Sequence, residues 1–581
     1  MSATDFIPAP RTQTERRQLW LFMLVALLVI GAGIGLRDPW PADEPRFALA
    51  AKQMVESGNW LIPHRGTELY SDKPPMFMAM QAAAYTLTGS WRIAFLLPSL
   101  LAALGTLFLI YDFGRRLWTH RVGLWAAIAV LATFQFVYQA KRAQIDPLVT
   151  FFITLANYGL LRHFLLGPNW RAYWLGCFAA GLGVISKGVG ILALFMFLPY
   201  LLARWRRWEH LPRFEGGALR WLGGALAFLI AVGLWIAPLL IALATSDSPE
   251  LQAYAHDILF RQTAGRYANS WAHEHPPWYF IEVVAYAWLP LTIAMVGAFP
   301  RWLERLRARD ARILLPLGWV VIVFVFFSIP TGKRDMYILP ALPWVALLVA
   351  PYLDDLRQRP WFRWTLFVFV VLLAILFIAL GSYAWSGSMQ RANELVIERG
   401  IDNNGVMLWA FIVAVGALAA CSALIFRIRR SVTGLGVTLA GMWLLWGFWA
   451  YPILNDSNSA AKLMRQAGEL AGPDAQIALV GWKEQNLLLA DRAVTDFGFR
   501  KPRHRQLAEA IQWQEAEPAR RRVFILDEAM QPCVDPALSI FVGNANRRSW
   551  YLFGPEAVAA DCRGGSVPQP LTESIEPDDE E

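Results

Sequence analysis

The stretch DEPRFALAAKQMVESGNWLIPHRGTELYSDKPP, residues 43–75, decides how the rest of the sequence is interpreted. It follows a long apolar run, yet it is dense in ionisable side chains that the interior of a bilayer rejects. Between the acidic pair Asp43-Glu44 and the end Asp72-Lys73-Pro-Pro, the apolar residues recur at helical spacing. The pattern predicts an amphipathic helix at a membrane surface that carries charges toward a site, with Phe47, Ala50, Ala51, Met54 and Val55 on its apolar side. An ordinary extramembrane loop with solvated charges explains the same residue types.

The composition places the chain outside the soluble globular class. Of its 581 residues, 56% are hydrophobic and only 17% are charged, and the mean hydropathy is +0.36. These values are typical of a polytopic α-helical membrane protein. The net charge of +8 comes mostly from arginines at the ends of apolar segments, where membrane topology accounts for them without a nucleic-acid partner.

The apolar segments predict about thirteen transmembrane helices of roughly 20 residues each. Residues 1–18 are polar and no cleavage site follows the first segment, so we expect a cytoplasmic N-terminus. Arginine-rich connections then alternate with connections that are short or mixed in sign, and the second kind faces outward. The predicted segments are 19–36, 91–111, 122–140, 147–166, 172–186, 189–203, 221–244, 279–299, 313–329, 336–353, 363–385, 406–426 and 433–453.

From residue 455 onward the pattern changes to that of a small soluble domain. Residues 476–482 and 522–526 are predicted strands and residues 507–513 a predicted helix. Because the predicted number of spans is odd and the N-terminus is expected in the cytoplasm, this α/β domain is predicted to lie on the opposite, periplasmic side of the membrane. Cys533 and Cys562 fall in it, and the sequence leaves open whether they pair. The acidic end, residues 574–581, is predicted to be disordered.

Ionisable residues that topology does not explain gather on the outward side. Cations there, with acids nearby, suit a lipid phosphate or pyrophosphate, although any one of them is also explained as a helix-end cation. His256, with His273 and His275, offers ligands for a divalent metal, and a loop surface explains these histidines equally well. The set comprises Asp43, Glu44, Arg46, Asp72, Lys73, Lys141, Arg142, Asp146, Lys187, residues 256–279, Lys333, Arg334 and Asp335.

Several common kinds of site are missing from the sequence. It contains no P-loop, no Gly-rich dinucleotide fingerprint and no nucleophile elbow. The sequence therefore gives no support to chemistry with a soluble cofactor.

Residues 43–75 resemble the first periplasmic loop of the aminoarabinose lipid A transferase branch of the protein mannosyltransferase superfamily. The likeness continues through QIDPLVTFF, ISKGVGIL, RQTAGRY with HPPWYF, and FFSIPTGKRDMYILPALPWVALL. These are GT-C class membrane glycosyltransferases that use polyprenyl-phosphate sugars. The resemblance implies transfer of 4-amino-4-deoxy-L-arabinose or a related sugar, with inversion, from undecaprenyl phosphate to lipid A at the outer face of a bacterial inner membrane.

The resemblance and the charges together give a set of expected site residues. Asp43 matches an acid that acts near the acceptor, as a general base if the acceptor is a hydroxyl group and as an orienting group if it is a phosphate. Cations would hold the departing phosphate. We expect Asp43, Glu44 and Asp146 to be catalytic, Arg46, Lys73, Arg261, Arg266 and Lys333 to bind the donor phosphate, and Asp72, Lys187, His256 and Tyr337 to bind substrate.

Two departures from the family pattern leave the sugar and the acceptor open. Asp72 replaces the usual Glu before Lys-Pro-Pro, and Pro45 follows the acidic pair. The resemblance to the superfamily also allows transfer to other lipids, glycans or proteins. A lipid-linked sugar flippase is a competing class, but it predicts charged helices at the membrane midplane, whereas the ionisable residues here lie at segment ends. An assembly subunit that works through its C-terminal domain is a third.

Overall fold

The computed structural model describes residues 11–209, 211–212, 217–259, 273–401, 405–545 and 548–569. Within these residues eight helices are long and apolar enough to cross a membrane, or up to ten if each of two bent pairs is one span. Some of them expose most of their apolar surface, since only 11% of the apolar window of Ala218–Thr245 and 22% of that of Pro360–Trp385 is buried. Apolar surface of this extent is stable against lipid and not against water. The chain is therefore a multi-pass membrane protein.

Each predicted span coincides with a helix or a helical run. The eight long ones are Trp91–Leu117, Ile145–Leu165, Ala218–Thr245, Ala311–Ser328, Asp335–Leu356, Pro360–Trp385, Val406–Phe426 and Ile428–Asn458. The bent pairs are His120–Ala132 with Phe134–Ala140, at 71°, and Tyr279–Ala287 with Leu291–Arg307, at 112°. Thr133 is extended at the first break, and Pro290 at the second cannot donate a helical hydrogen bond.

The three remaining predicted spans fall on helices that are polar at their ends or short. Gln13–Gly31 and Trp170–Lys187 carry charged residues near their ends, and Val189–Trp205 is a shorter apolar helix. Length and composition therefore support eight to ten spans, and the number thirteen stays a prediction.

We number the first nine α-helices and refer to later helices by their bounds. They are α1 Gln13–Gly31, α2 Asp43–Ser57, α3 Met76–Thr88, α4 Trp91–Ala94, α5 Leu97–Leu117, α6 His120–Ala132, α7 Phe134–Ala140, α8 Ile145–Leu165 and α9 Trp170–Lys187. The later α-helices are Phe197–Trp205, Ala218–Thr245, Pro249–His256, Tyr279–Ala287, Leu291–Arg307, Ala311–Ser328, Leu342–Val349, Leu353–Leu356, Pro360–Trp385, Gln390–Glu398, Val406–Phe426, Ser431–Leu445, Tyr451–Asn458, Ala461–Ala471, Glu484–Leu488 and Arg503–Ala516.

The predicted amphipathic helix is present as α2. Phe47 and Met54 on its apolar side are buried, and α3 packs there. Its polar side is covered in part, because Lys52 donates to the carbonyl oxygen of Leu488 and the helix Glu484–Leu488 packs against α2, whereas Glu56 on the same side is 61% exposed. The helix therefore lies between α3 and the C-terminal region, and its place at a membrane surface stays a prediction.

A short hairpin after α2 also contacts the C-terminal region. Its strands are β1 His64–Arg65 and β2 Glu68–Leu69, paired antiparallel. Gly66 in the turn has φ +68°, and a Cβ atom there would lie 2.9 Å from the Trp482 ring. Glycine is thus required both by the backbone conformation and by this close approach.

The C-terminal region forms a five-stranded mixed sheet. Its order is β4-β3-β5-β7-β6, with β3 parallel to β4 and β5, and β7 antiparallel to β5 and β6. The predicted strands and helix are confirmed as β3, β5 and Arg503–Ala516. The strands are β3 Gln476–Val480, β4 Val494–Asp496, β5 Arg521–Leu526, β6 Ile540–Ala545 and β7 Arg548–Phe553.

The open question of the two C-terminal cysteines is answered by the structure. Cys533 and Cys562 form a disulfide with a Cα–Cα distance of 5.6 Å, and both are buried. The acidic end, residues 574–581, lies outside the described residues.

Candidate functional site

A layer of buried charged side chains lies next to the start of α2, close to the predicted catalytic residue Asp43. Its first member, Lys141, follows α7, and its ammonium group donates to the carbonyl oxygens of Val29, Ile30 and Ala32 at 3.0, 3.2 and 2.8 Å. These carbonyls end α1 and have no partner within the helix. Burial and the charge of Arg37 lower the pKa of Lys141 to about 7. Lys141 is therefore a cap that holds α1 against the start of α8.

Arg37 and Glu44 form the rest of this layer. They make a two-pronged ion pair, with one N–O distance of 2.7 Å, and both side chains are only 1% exposed. Glu44 also accepts hydrogen bonds from the backbone N–H groups of Trp40 and Ala143, at 2.9 Å each. Burial alone raises the pKa of a carboxyl group, but Arg37 holds the pKa of Glu44 below its ordinary value. We call Arg37, Glu44 and Lys141 the buried layer.

Asp43 occupies a different environment although it is the neighbour of Glu44. Its side chain is 18% exposed, and guanidinium nitrogens of Arg46 and Arg334 each lie 3.9 Å from its carboxylate. Gln144 donates one long hydrogen bond of 3.4 Å to it. We call Asp43, Arg46, Gln144 and Arg334 the Asp43 cluster. Its carboxylate is accessible and only loosely held, so a substrate group can compete for it.

Arg46 also contacts the C-terminal region. Its Nε donates to Glu484 at 2.9 Å, and Arg65 of β1 lies 3.5 Å from the same carboxylate oxygen. Arg65 is buried and stacks on the Phe499 ring at 3.8 Å. One buried carboxylate thus faces two guanidinium groups, and the excess positive charge lies beside Asp43.

The C-terminal region also contacts the end of the first predicted outward loop, near Asp72. Arg500 donates to Asp72 at 3.1 Å, and its backbone N–H contacts the carboxylate of Glu68. Burial and the charge of Asp72 raise the pKa of Tyr70. Lys73 is partly exposed between the buried Asp72 and α3.

A second acid and cation meet at the N-terminus of α8. Lys187, the last residue of α9, lies 2.6 Å from Asp146 and 5.3 Å from the centre of the Tyr337 ring. Asp146 is two residues from Gln144, and Tyr337 is three residues from Arg334. The structure therefore brings Asp146, Lys187 and Tyr337 together, next to the Asp43 cluster.

Lys333, which is predicted to bind the donor phosphate, contacts groups of the chain itself in this structure. Its ammonium group is buried and donates to the carbonyl oxygen of His275 at 2.7 Å, and its backbone N–H donates to His273 at 2.9 Å. Burial lowers the pKa of Lys333. In this structure Lys333 joins two loops, and the neighbouring Arg334 is the residue directed at Asp43.

The remaining predicted residues precede Tyr279 in the sequence. His256 is exposed at the end of Pro249–His256, and the next residue, Asp257, accepts a short hydrogen bond from Ser71. Arg261 and Arg266 lie outside the described residues. Across the described ranges, no group of three or more His, Cys, Asp or Glu side chains is placed to hold a metal ion.

Sequence reasoning did not find Arg37, Gln144, Arg65 or Glu484. Arg37 directly follows the first predicted span, residues 19–36, and its partner Glu44 is predicted to be catalytic. Glu484 carries no local signal, because it is separated from Arg46 by 438 positions. Arg334 belongs to the predicted set of outward cations without an assigned role, and its position next to Lys333 is the sequence feature that could have identified it as a site residue.

Sequence comparisons find relatives for a large part of the chain. The family model of dolichyl-phosphate-mannose-protein mannosyltransferase matches residues 72–236. Two curated relatives are named undecaprenyl phosphate-alpha-4-amino-4-deoxy-L-arabinose arabinosyl transferases. The one from Proteus mirabilis is 28% identical over 355 residues, which is 60% of this chain and 61% of the relative. The one from Pseudomonas paraeruginosa is 30% identical over 361 residues, which is 59% of this chain and 61% of the relative. The chain thus spans about three fifths of the length of each relative.

The fold extends the likeness over nearly the whole chain. The crystal structure of ArnT from Cupriavidus metallidurans bound to undecaprenyl phosphate matches with a TM-score of 0.68 and 19% identity, covering 95% of this chain and 99% of that one. The apo structure of the same protein matches with a TM-score of 0.69 and 19% identity, covering 94% and 100%. Sequence and fold together therefore confirm the resemblance that the motifs predict: the chain is similar to these arabinosyl transferases over about three fifths of its length, and it has the fold of the Cupriavidus metallidurans structure.

Proposed function

We propose that this chain transfers a sugar from an undecaprenyl-phosphate donor to lipid A. The observation that carries the proposal is the Asp43 cluster, in which a loosely held carboxylate lies between two guanidinium groups. Such a site suits an anionic leaving group and a nucleophile that needs orientation. The names of the relatives favour 4-amino-4-deoxy-L-arabinose as the sugar.

The proposal includes an orientation in a bacterial inner membrane. Residues 1–18 lie in the cytoplasm, residues 19–454 form a transmembrane glycosyltransferase domain of about thirteen spans with its first periplasmic connection at 37–90, and residues 455–581 form a periplasmic domain. The arginine-rich connections support this orientation, since cytoplasmic loops retain Lys and Arg. The Asp43 cluster then faces the periplasm, where lipid A is accessible.

Cations of the cluster, together with Lys73, would hold the donor phosphate. Arg46, Lys73 and Arg334 are partly exposed, and guanidinium groups match phosphate oxygens in two-pronged geometry. Arg261 and Arg266 remain expected members of the set. We assign Lys333 and Glu44 to positioning, because each is buried and bonded to groups of the chain itself.

The transfer is a single displacement that inverts the anomeric carbon. The bond from that carbon to the donor phosphate breaks, and its electron pair leaves on undecaprenyl phosphate, where the cations stabilise it. A lone pair of the acceptor oxygen forms the new bond on the opposite face. If the acceptor is a hydroxyl group, its proton passes to Asp43. If it is an ionised phosphate, no proton moves and Asp43 orients the sugar or the acceptor. Asp146, held by Lys187, contributes a second negative charge beside the reacting carbon.

Mass spectrometry of lipid A and lipid-linked glycans tests the proposal. Cells that lack their own transferase would express the wild type, Asp43→Asn, Lys73→Ala or the control Asp474→Asn, an exposed carboxylate in the C-terminal region. We expect aminoarabinose on lipid A with the wild type and the control, and none with the other two. Unchanged lipid A with sugar moved to another glycan would reject the acceptor, and no change in any glycan would favour a flippase.

A further inference from the structure

A groove lined by arginines lies at the opposite end of α1 and α5 from the candidate site. It has a volume of about 640 Å³. Its lining combines four guanidinium groups with an apolar wall. The residues are Arg11, Arg16, Arg115 and Arg116, with Leu19, Trp20, Met23 and Phe108.

The positions of the two helices separate this groove from the Asp43 cluster. The C-terminal end of α1, at Ala32, is held by Lys141, whereas Arg16 is in its first turn. At a rise of about 1.5 Å per residue, the sixteen positions between Arg16 and Ala32 span roughly 24 Å. Similarly, Ser99 near the start of α5 contacts the carbonyl oxygen of Gln144. The groove and the candidate site therefore lie at opposite ends of the same helices.

The groove carries an excess of positive charge. Asp112 is bonded to Arg11 at 2.8 Å and to Arg116 at 2.5 Å, and it lies 3.8 Å from Arg115. Arg16 forms no ion pair within the described part of the chain, and it is exposed. Four guanidinium groups against one carboxylate leave a net charge of +3.

Two further details favour a ligand with an anionic group. The Nε of Arg11 is buried and donates no hydrogen bond within the described residues, so the described chain leaves this donor in the wall of the groove without an acceptor. Glu15, the acid of α1, is held in a capping box with Thr12 and does not line the groove. Asp112 is therefore the counter-charge that the described chain bonds to the arginines of the groove, and a ligand can supply the rest.

The apolar wall distinguishes a lipid from a free anion. Trp20 is 72% exposed and Phe108 is 40% exposed, and both belong to membrane-facing helices. Aromatic and aliphatic side chains give no stabilisation to inorganic phosphate, but they suit the first methylenes of acyl chains below a headgroup. We infer that the groove binds an anionic diacyl phospholipid, with its phosphate on Arg11, Arg16 and Arg116 and its acyl chains along Trp20 and Phe108.

Native mass spectrometry of the delipidated full-length protein tests this inference. Phosphatidylglycerol, phosphatidylcholine and inorganic phosphate would be added separately to the wild type, Arg16→Gln, Trp20→Ala and the control Arg17→Gln. Arg17 is also exposed on α1 but does not line the groove. We expect Arg16→Gln to weaken phosphatidylglycerol binding about fivefold, as for one cation near an anionic headgroup, and Trp20→Ala to weaken it as well. The control should bind like the wild type, and phosphatidylcholine binding should be weak in all four proteins.

The alternatives give different results. Equal effects of Arg16→Gln and Arg17→Gln, or no effect of either, would overturn the site. Inorganic phosphate binding that depends on Arg16, together with phosphatidylglycerol binding that is unchanged in Trp20→Ala, would show an ion site and reject the lipid. Thermal unfolding of each variant controls for loss of the fold. Arg16→Gln should leave the unfolding midpoint unchanged, because Arg16 is exposed and forms no ion pair within the described residues.

Discussion

The buried layer and the Asp43 cluster contain the same kinds of charge and are adjacent in sequence, yet they differ in how fully those charges are bonded. In the buried layer, Glu44 is 1% exposed and accepts hydrogen bonds from Arg37 and from two backbone groups. In the cluster, Asp43 is 18% exposed, with its cations at 3.9 Å. A charge that the protein has already bonded has little capacity left for a substrate, and one left partly unsatisfied is available to it.

The difference also separates two consequences of mutation. A buried charge that loses its partner is left without compensation, so the fold becomes less stable. A partly exposed charge that is removed costs little stability, because water replaces its partner. A change in the buried layer should therefore lower mainly the stability of the fold, and a change in the Asp43 cluster should lower mainly the rate of transfer.

The largest expected effect is that of Asp43→Asn on transfer. We expect the rate to fall about 10²- to 10⁴-fold, the usual contribution of a general base, with no change in the thermal unfolding midpoint. The measurement is turnover of purified protein with an undecaprenyl-phosphate sugar and lipid A. Turnover like that of the wild type would remove Asp43 from the site.

Glu44→Gln should act mainly on stability. The substitution leaves Arg37 buried without a counter-charge, for which we expect a loss of about 3–5 kcal/mol, seen as a lower unfolding midpoint in detergent. Glu56→Gln, on the same helix but with a side chain that is 61% exposed, is the matched control. A Glu44→Gln protein as stable as the control, but inactive, would return Glu44 to the catalytic residues.

The helices and strands were predictable, and the division between these two regions was not. Hydrophobic periodicity located the spans and the strands β3 and β5, because burial of an apolar face is a local property of the sequence. Asp43 and Glu44 are equivalent by that criterion, since both are acids at the start of α2. Their difference comes from partners that are distant in the chain, such as Ala143 for Glu44 and Arg334 for Asp43.

Distant partners also explain why Lys141 and Lys333 were grouped with the candidate site. A lysine at the end of an apolar segment has the same local signature whether it caps a helix, joins two loops or binds a phosphate. Lys141 meets carbonyl groups that are 109 to 112 positions away, and Lys333 meets one that is 58 positions away. Only the folded structure distinguishes these roles.

We expect Lys141 to have an effect of intermediate size on the free energy of unfolding, and we expect that effect to depend on pH. Its pKa is lowered to about 7 from an ordinary value of 10.5, so between these values the unfolded chain holds a proton that the folded protein lacks. Stability should therefore rise with pH in this window, by about 2 kcal/mol from pH 7 to 9, and below pH 7 the cost of burying the charge is fully present. Comparing the unfolding of wild type and Lys141→Met across this range measures the difference. Parallel profiles would mean that Lys141 stays charged in the fold.

The smallest effect, that of Arg500→Gln, tests whether the C-terminal region positions the Asp43 cluster or only covers it. Arg500 is 41% exposed and pairs with Asp72 at 3.1 Å, and exposed pairs contribute about 0.2–1 kcal/mol. The unfolding midpoint should hardly change. Because Asp72 precedes Lys73, however, a looser first loop should raise the KM for the donor severalfold while kcat changes less. Arg503→Gln, which breaks an ion pair with Glu528 within the C-terminal region, is the control. If both variants keep the donor KM of the wild type, the position of Lys73 is set by α2 and α3 alone, and the contact with Arg500 contributes only to packing.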